Sequence, residues 1–348
     1  MNKFYERYIH ERNYGCRIRE YVYKGLKTVT LENELIKVSV LADKGTDIFE
    51  FVFKPKDIDF MWHSFNGVKN PASFVATRQH PGGPFLDFYE GGWQELFPNI
   101  SEPCEYMGAP LGMHGEVSLP PWEYVVEKNT PEEISVRFWI RTSRTPFYLE
   151  KILSLKTEDA TLYIDEKVIN EGSVDLQFMW GHHPAFGPIF LDESCVIEFP
   201  EDSKAHTCSH NLGKNAILPG DTEFTWPLVK GLDGSMVDLS KIPLPDLKVF
   251  YEFYLHDITE GWYRIKNIKK SVGFGIQWDK AVFPVIWVWA PLGGAEEYPW
   301  YGRNYNLAIE PWSALPANLA KLVECAGGIK IGPGQVINTK LQAIAYEL

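Results

Sequence analysis

The chain has 348 residues, of which 45% are hydrophobic and 23% are charged, and its formal net charge is -12 at pH 7. This composition is typical of a globular protein with a large core, and the negative charge argues against nucleic acid and anionic membranes as partners. No apolar run is long enough to cross a bilayer, and the first residues contain no apolar stretch like that of a signal peptide. The five cysteines are widely spaced and form no C-x-x-C motif. They predict reduced thiols and a cytoplasmic location.

Alternation of apolar and polar residues predicts β-strands along most of the chain. A first short strand is expected at Ile18–Tyr23, and clear alternating runs follow at 36–40, 134–140, 162–166 and 344–346. The 28 glycines and 24 prolines punctuate these runs with turns. A short helix is expected within Pro316–Cys325, where three apolar side chains share a face.

No flexible Gly/Ser linker divides the chain. Many strands without a break in composition favour one large antiparallel β-sandwich over two domains. We therefore expect a single all-β domain over residues 1–348, with residues 1–28 as an N-terminal extension.

Three segments in the first third of the chain contain candidate site residues. Arg78 lies in a Gly/Pro-rich loop, where it either donates to a ligand or is a solvated surface residue. The segment Glu90–Asn99 contains two glycines suited to positive φ, followed by a tryptophan, and predicts either part of a site or a tight turn with Trp93 in the core. His114 is isolated, and an isolated histidine is more often structural than functional.

Two adjacent histidines, His182 and His183, follow an apolar run and are bracketed by Gly181 and Pro184. We expect them where a strand opens into a loop, a common place for a binding site. Because side chains alternate along a strand, the two rings should diverge. A metal site, an acid–base site and core packing are the three alternatives. The divergence, and the lack of an H-x-x-x-H motif or a cysteine pair, argue against a metal.

The last third of the chain adds two tryptophans and a carboxylate. Trp287 and Trp289 share one face of an apolar strand, where they either pack between sheets or stack on a ligand. Glu310 ends another apolar strand just before Pro311. A carboxylate in such surroundings needs a partner or a raised pKa, which makes Glu310 the best general-base candidate.

In their order and spacing these segments resemble the aldose 1-epimerase (galactose mutarotase-like) superfamily. The resemblance covers roughly residues 28 to 348. The matching segments are Leu31–Leu41 with Lys44–Ile48, Arg78, His114-Gly115, His182–Phe186 and Glu310.

The resemblance implies a galactose mutarotase-like sandwich that acts on a small-molecule carbohydrate without a metal or cofactor. His183 would be the catalytic acid and Glu310 the base, on opposite sides of the sugar. The histidine would then need to be protonated near neutral pH. Arg78, His114 and His182 would orient hydroxyls, and Trp289 would stack under the ring.

The sequence also departs from the superfamily pattern. His182 replaces the usual asparagine, Pro184-Ala185 replaces a Ser-Tyr pair, and the superfamily's aspartate has no clean counterpart, with Asp233 the nearest substitute. These departures point to a divergent branch, in which the classical galactose or glucose specificity need not be kept. They leave two alternatives open: a non-catalytic sugar-binding protein, or another isomerase or lyase on the same fold.

Overall fold

The structure is a computed structural model, and it describes residues 12–73, 83–209, 214–325 and 327–348. The described chain is built almost entirely of strands. In chain order these are β1 (Arg17–Tyr23), β2 (Leu26–Glu32), β3 (Ile36–Leu41), β4 (Asp47–Phe53), β5 (Ile58–Asp59), β6 (Trp93–Leu96), β7 (Cys104–Tyr106), β8 (Ala109–Leu111), β9 (Glu123–Asn129), β10 (Glu133–Arg141), β11 (Phe147–Lys156), β12 (Thr161–Asn170) and β13 (Leu176–Phe178).

The second half of the chain continues the pattern. Its strands are β14 (Gly181–Phe186), β15 (Cys195–Glu198), β16 (Lys204–Thr207), β17 (Glu223–Thr225), β18 (Leu228–Lys230), β19 (Met236–Asp238), β20 (Tyr251–His256), β21 (Trp262–Asn267), β22 (Val272–Trp278), β23 (Val285–Ala290), β24 (Leu307–Trp312), β25 (Ile329–Ile331) and β26 (Val336–Glu347). The described α-helices are α1 (Phe85–Phe88) and α2 (Leu319–Glu324), and neither is long and apolar enough to cross a membrane.

Two large antiparallel sheets form the body of the described structure. The first has 12 strands in the order β1-β2-β3-β4-β6-β14-β24-β23-β20-β16-β17, with β5 paired to β4. The second has 8 strands in the order β15-β21-β22-β26-β12-β11-β10-β9. Short two-stranded sheets, β7-β8, β13-β25 and β18-β19, lie in the connections.

The main hydrophobic core lies where the two sheets face each other. Phe51 of β4 and Phe186 of β14 each contact Phe274 of β22 with ring centroids 5.2 Å apart. These aromatic contacts join strands of one sheet to a strand of the other, as in face-to-face sheet packing. The predicted all-β antiparallel sandwich is therefore confirmed.

Most predicted elements are observed close to their predicted bounds. The strand expected at Ile18–Tyr23 is β1, and the helix expected within Pro316–Cys325 is α2, whose first turn is capped by the Asn318 side chain. Strand β1 pairs with β2 along its whole length. The part of the first 28 residues that the structure describes therefore contributes the edge strand of the 12-stranded sheet.

The position of the two histidines differs from the prediction. They lie inside β14 rather than where a strand opens into a loop, because β6 pairs with one side of this strand and β24 with the other. Pro184 is accommodated between these neighbours, and Ala185 resumes the hydrogen bonding by donating to the Gly92 carbonyl.

Candidate active site

Strand β14 sends its two histidines to opposite faces of the 12-stranded sheet, as the alternation along a strand requires. His183 faces a cavity on the outer side of the sheet. His182 faces the space between the two sheets, where its Nε2 lies 3.1 Å from Glu166 Oε2 and its Nδ1 accepts a hydrogen bond from Trp93. The structure therefore does not bring His182 into the cavity, and the substrate contact predicted for it is not supported by this geometry.

His183 and Glu310 meet at the floor of the cavity. Strands β14 and β24 are antiparallel, and the pairs Gly181–Trp312 and Ala185–Ala308 bracket the two residues. His183 Nε2 lies 3.4 Å from Glu310 Oε1, and the two residues are only 5% and 1% exposed. The expectation that they would stand on opposite sides of a sugar is therefore not met in the described structure, since cross-strand neighbours project side by side.

Each member of the pair has a hydrogen-bond partner elsewhere among the described residues. The Tyr89 hydroxyl lies 3.2 Å from His183 Nδ1, and Trp312 Nε1 donates to Glu310 Oε2 at 3.0 Å. These contacts fix which imidazole nitrogen and which carboxylate oxygen face each other. Neither Tyr89 nor Trp312 was a sequence candidate. Trp312 could have been found as the residue two places after Glu310 on the same strand face, but no sequence pattern singles out Tyr89.

Burial governs the protonation of the pair. It holds the pKa of His183 well below the usual value for histidine, and the nearby His114 lowers it further. Burial also raises the pKa of Glu310 well above that of an ordinary carboxyl group, although the hydrogen bond from Trp312 opposes this shift. Both shifts favour the uncharged forms. These directions run against the expectation that His183 is held protonated near neutral pH, because desolvation outweighs the backbone hydrogen bond that favours the charged ring.

His114 lies beside the pair, with its ring centroid 5.4 Å from that of His183. Its Nδ1 is 2.8 Å from the Ile100 carbonyl oxygen, so this nitrogen carries the proton. Burial lowers the pKa of His114 to about 4, which keeps the ring neutral and leaves Nε2 an acceptor. The predicted residues His114, His183, Trp289 and Glu310 all line the same cavity. Arg78 lies outside the described residues.

Aromatic side chains form two walls of the cavity. Trp289 lies 5.9 Å from His183 and 5.5 Å from Trp300, ring centroid to ring centroid. On the other side, Trp287 and Trp312 stack with centroids 4.9 Å apart and planes within 2°. The alternative that Trp287 and Trp289 pack between the two sheets does not hold, since both line the cavity.

The cavity has a volume of about 630 Å³. Among the described residues that line it, the carboxylates outnumber the lysines and arginines. The acidic residues are Glu102, Asp221, Glu252 and Glu310, and the basic one is Lys321. Asp233, the suggested substitute for the superfamily's aspartate, instead lies on an exposed turn and accepts hydrogen bonds from Ser235. Within the described residues, no three side chains of the metal-binding types form a group that could hold a metal ion.

Several solved structures share this fold. A candidate aldose 1-epimerase from Klebsiella pneumoniae aligns over 97% of this chain and 85% of its own, with a TM-score of 0.75 and 15% identity. A galactose mutarotase related enzyme from Lactobacillus acidophilus aligns over 94% of this chain and 98% of its own, at a TM-score of 0.59 and 18% identity. A galactose mutarotase-like protein from Clostridium acetobutylicum aligns over 96% of this chain and 99% of its own, with a TM-score of 0.62 and 13% identity.

These likenesses establish a galactose mutarotase-like fold, and at such low identities they establish the fold alone. The sequence also matches the model of one protein family, a domain of unknown function named DUF4432, over residues 23–216. That match covers more than half of the chain. The chain therefore belongs to the DUF4432 family.

Proposed function

We propose that this protein is an aldose 1-epimerase-type enzyme, which interconverts the α and β anomers of a sugar through acid–base ring opening. The observation that carries the proposal is the contact between His183 Nε2 and Glu310 Oε1 at the floor of a cavity walled by tryptophans. A proton donor and a proton acceptor side by side are the two groups that ring opening needs.

The two groups can act on one carbon of the sugar. The anomeric hydroxyl and the ring oxygen are both bonded to C1, so neighbouring groups on one wall can reach both. The acid gives its proton to the ring oxygen while the base takes the proton of the anomeric hydroxyl. The bond from C1 to the ring oxygen breaks, and C1 becomes a carbonyl carbon. Rotation about the C1–C2 bond followed by the reverse transfers closes the ring with the other configuration.

The pKa directions assign the starting roles. The pair needs one transferable proton, and the raised pKa of Glu310 together with the lowered pKa of His183 supports a starting state with that proton on the carboxyl group. Glu310 is then the acid in ring opening and His183 the base, which is the reverse of the roles expected from the sequence. The His183 Nδ1–H donates to the Tyr89 oxygen, so that Nε2 accepts from Glu310 and then from the sugar.

The rest of the cavity suits an uncharged sugar. The Trp289 ring offers a flat apolar surface for the C–H face of a pyranose, and neutral His114 offers an acceptor for a hydroxyl. The excess of carboxylates among the described lining residues disfavours sugar phosphates and uronates. Within this proposal His182 holds β14 against the second sheet through its contact with Glu166, and it does not touch the sugar.

The proposal is tested by measuring anomer exchange with NMR across neutral aldoses, sugar phosphates and uronates. We expect exchange of a neutral aldose to fall by about 10²–10⁴-fold in Glu310→Gln and in His183→Gln, as for loss of a general acid or base. Glu123→Gln, at an exposed position on β9 at the edge of the 8-stranded sheet, is the matched control. Unchanged exchange in Glu310→Gln would remove the role given to that residue. Sugar binding without any acceleration of exchange would favour the non-catalytic alternative.

Two broader assignments belong to the same proposal. We propose that residues 1–348 form one domain, since strands from both ends of the described chain are built into the two large sheets. We also propose a cytoplasmic location, in keeping with five cysteines that form no disulfide bond among the described residues.

A further inference from the structure

A row of five side chains crosses the 12-stranded sheet, starting at the acid–base pair. Glu310 is the cross-strand partner of Trp287, Trp287 is that of Tyr254, and Tyr254 is that of His206. Cross-strand partners in antiparallel sheets project from the same face. His183, Glu310, Trp287, Tyr254 and His206 therefore form one row, and all five line the cavity.

The row is longer than one sugar ring. Adjacent strands are about 4.8 Å apart, so the four steps from β14 to β16 span roughly 19 Å. The cavity volume of about 630 Å³ lies in the range, about 300–1,000 Å³, of pockets that enclose drug-sized ligands. A monosaccharide bound at His183 and Glu310 would leave the β20 and β16 end of the row uncovered.

The far end of the row has the chemistry of a sugar subsite. The rings of His206 and Tyr254 stack with centroids 5.3 Å apart and planes 27° apart, and both side chains are half-buried. Asp221 also lines the cavity. The residue after it, Thr222, accepts a hydrogen bond from the amide of Thr207, and this contact holds Asp221 close to His206. An aromatic surface next to a carboxylate can pack on the C–H face of a sugar and accept its hydroxyl protons.

We propose that Tyr254, His206 and Asp221 form a second sugar subsite, and that the preferred ligand is a reducing disaccharide or a longer oligosaccharide. This inference rests on the proposed function for the placement of the reducing unit, whose C1 lies at His183 and Glu310. Carbon C4 lies across a pyranose ring from C1. A unit attached at O4 therefore extends away from the pair and along the row toward β16.

The experiment compares matched sugars: glucose with cellobiose and maltose, galactose with galactobiose, mannose with mannobiose, and xylose with xylobiose. For the preferred sugar, we expect kcat/KM for anomer exchange to be about tenfold higher with the disaccharide, a difference worth about one good aromatic contact. In Tyr254→Ala, and in His206→Ala as a second variant, this ratio should fall to about one. Tyr21→Ala, on the opposite edge strand of the same sheet, should keep the wild-type ratio.

Calorimetric binding of the same sugars separates this inference from the proposed function. Tighter binding of a disaccharide than of its monosaccharide, without exchange, would support the subsite and remove the enzymatic proposal. Exchange or binding that is no better for any disaccharide than for its monosaccharide would overturn the subsite, as would the absence of binding by every sugar. A disaccharide preference that persists in both the Tyr254 and the His206 variants would also overturn it.

Discussion

Glu310 is a carboxyl group in surroundings that oppose its charge. It is 1% exposed, its Oε2 accepts one hydrogen bond from Trp312, and its Oε1 faces a neutral imidazole. Such a group is suited to hold a transferable proton near neutral pH, where an ordinary glutamic acid has already ionised. The same burial makes its ionised form unfavourable for folding.

Replacing Glu310 by glutamine should stabilise the protein while it removes activity. The folded-state pKa of Glu310 is raised, so its favourable contribution is present at acidic pH and is lost as the pH rises through that pKa. At pH 8, Glu310→Gln should therefore have an unfolding free energy about 1–3 kcal/mol higher than that of the wild type, and a higher unfolding temperature. At pH 5 the difference between the two proteins should be smaller. Calorimetric melting at both pH values checks this. A lower stability of the variant at pH 8 would contradict it.

Tyr89 is expected to position His183. Its hydroxyl oxygen lies 3.2 Å from His183 Nδ1, within hydrogen-bond distance, and removal of one hydrogen bond worth about 0.5–1.5 kcal/mol corresponds to a rate loss of up to about tenfold. Tyr89→Phe should lower kcat for anomer exchange by about that factor and leave KM nearly unchanged, because the aromatic ring stays in place. Tyr263→Phe is the matched control, since that buried hydroxyl has no hydrogen-bond partner among the described residues. An unchanged kcat in Tyr89→Phe would refute the positioning role.

At the scale of the element, β14 has one face in the cavity and the other in the space between the two sheets. Its outer face places His183 in the cavity, and its inner face places His182 against Glu166 of β12, in the opposite sheet. Close by, Lys151 of β11 lies 3.0 Å from Glu95 of β6, so a buried ion pair also spans the two sheets. The strand that carries the proposed base is thus tied through polar contacts to the layer behind it.

The His182–Glu166 contact can be tested with a double-mutant cycle. His182→Leu leaves the fully buried Glu166 without this partner, and breaking a buried pair in this way typically lowers the unfolding free energy by about 3–5 kcal/mol. The double variant His182→Leu with Glu166→Leu should recover most of that loss, because neither polar side chain of the pair remains buried without its partner. Denaturant unfolding of the wild type and of the three variants, including Glu166→Leu alone, measures the coupling. Additive losses would show that the two residues do not interact.

The turn before β6 illustrates how glycine fixes an element. Gly91 has a φ of 93°, and a Cβ atom at this position would lie 2.0 Å from the Trp62 carbonyl oxygen. The predicted positive φ in this segment is confirmed, and Trp93 is buried, as in the core alternative. Tyr89 and Glu90 precede the turn directly, and Glu90 is 2.6 Å from the buried Lys44. The turn therefore fixes the position at which the Tyr89 side chain reaches the cavity and contacts His183.

At the scale of the whole molecule, the thiols report on the packing of the sandwich. Cys16 and Cys195 are buried, and burial raises the pKa of each to about 11. Burial also raises the pKa of Cys208 far above the usual value. Cys325 is exposed next to α2, and Cys104 is half-buried. The thiolate is the reactive form, so the five cysteines should differ widely in reactivity.

We expect a thiol reagent at pH 7.5 to modify Cys325 rapidly, Cys104 and the cavity-lining Cys208 more slowly, and the buried Cys16 and Cys195 only after unfolding. Mass spectrometry of peptides after timed labelling gives the order. In denaturant all five should react at similar rates, which serves as the internal control. Rapid labelling of Cys16 or Cys195 in the native protein would contradict the close packing of the two sheets.

The sequence by itself determined the all-β class and most strand positions, and it offered as candidates His114, His183, Trp289 and Glu310, which line one cavity. Alternation of apolar and polar residues is a local signal, and so is an acidic residue ending an apolar strand. Local signals could not give the pairing register. His183 and Glu310 are far apart in the chain, and only the antiparallel pairing of β14 with β24 makes them neighbours.

Tertiary structure alone decided the rest. It turned His182 toward Glu166, brought Tyr89 and Trp312 to the pair, and aligned Trp287, Tyr254 and His206 beside it. It also set the directions of the pKa shifts of His183 and Glu310, because the pKa of a buried group depends on how completely the folded chain excludes water around it. The residue types along the chain do not determine how completely water is excluded from a group. The packing of the two sheets and their connections determines it.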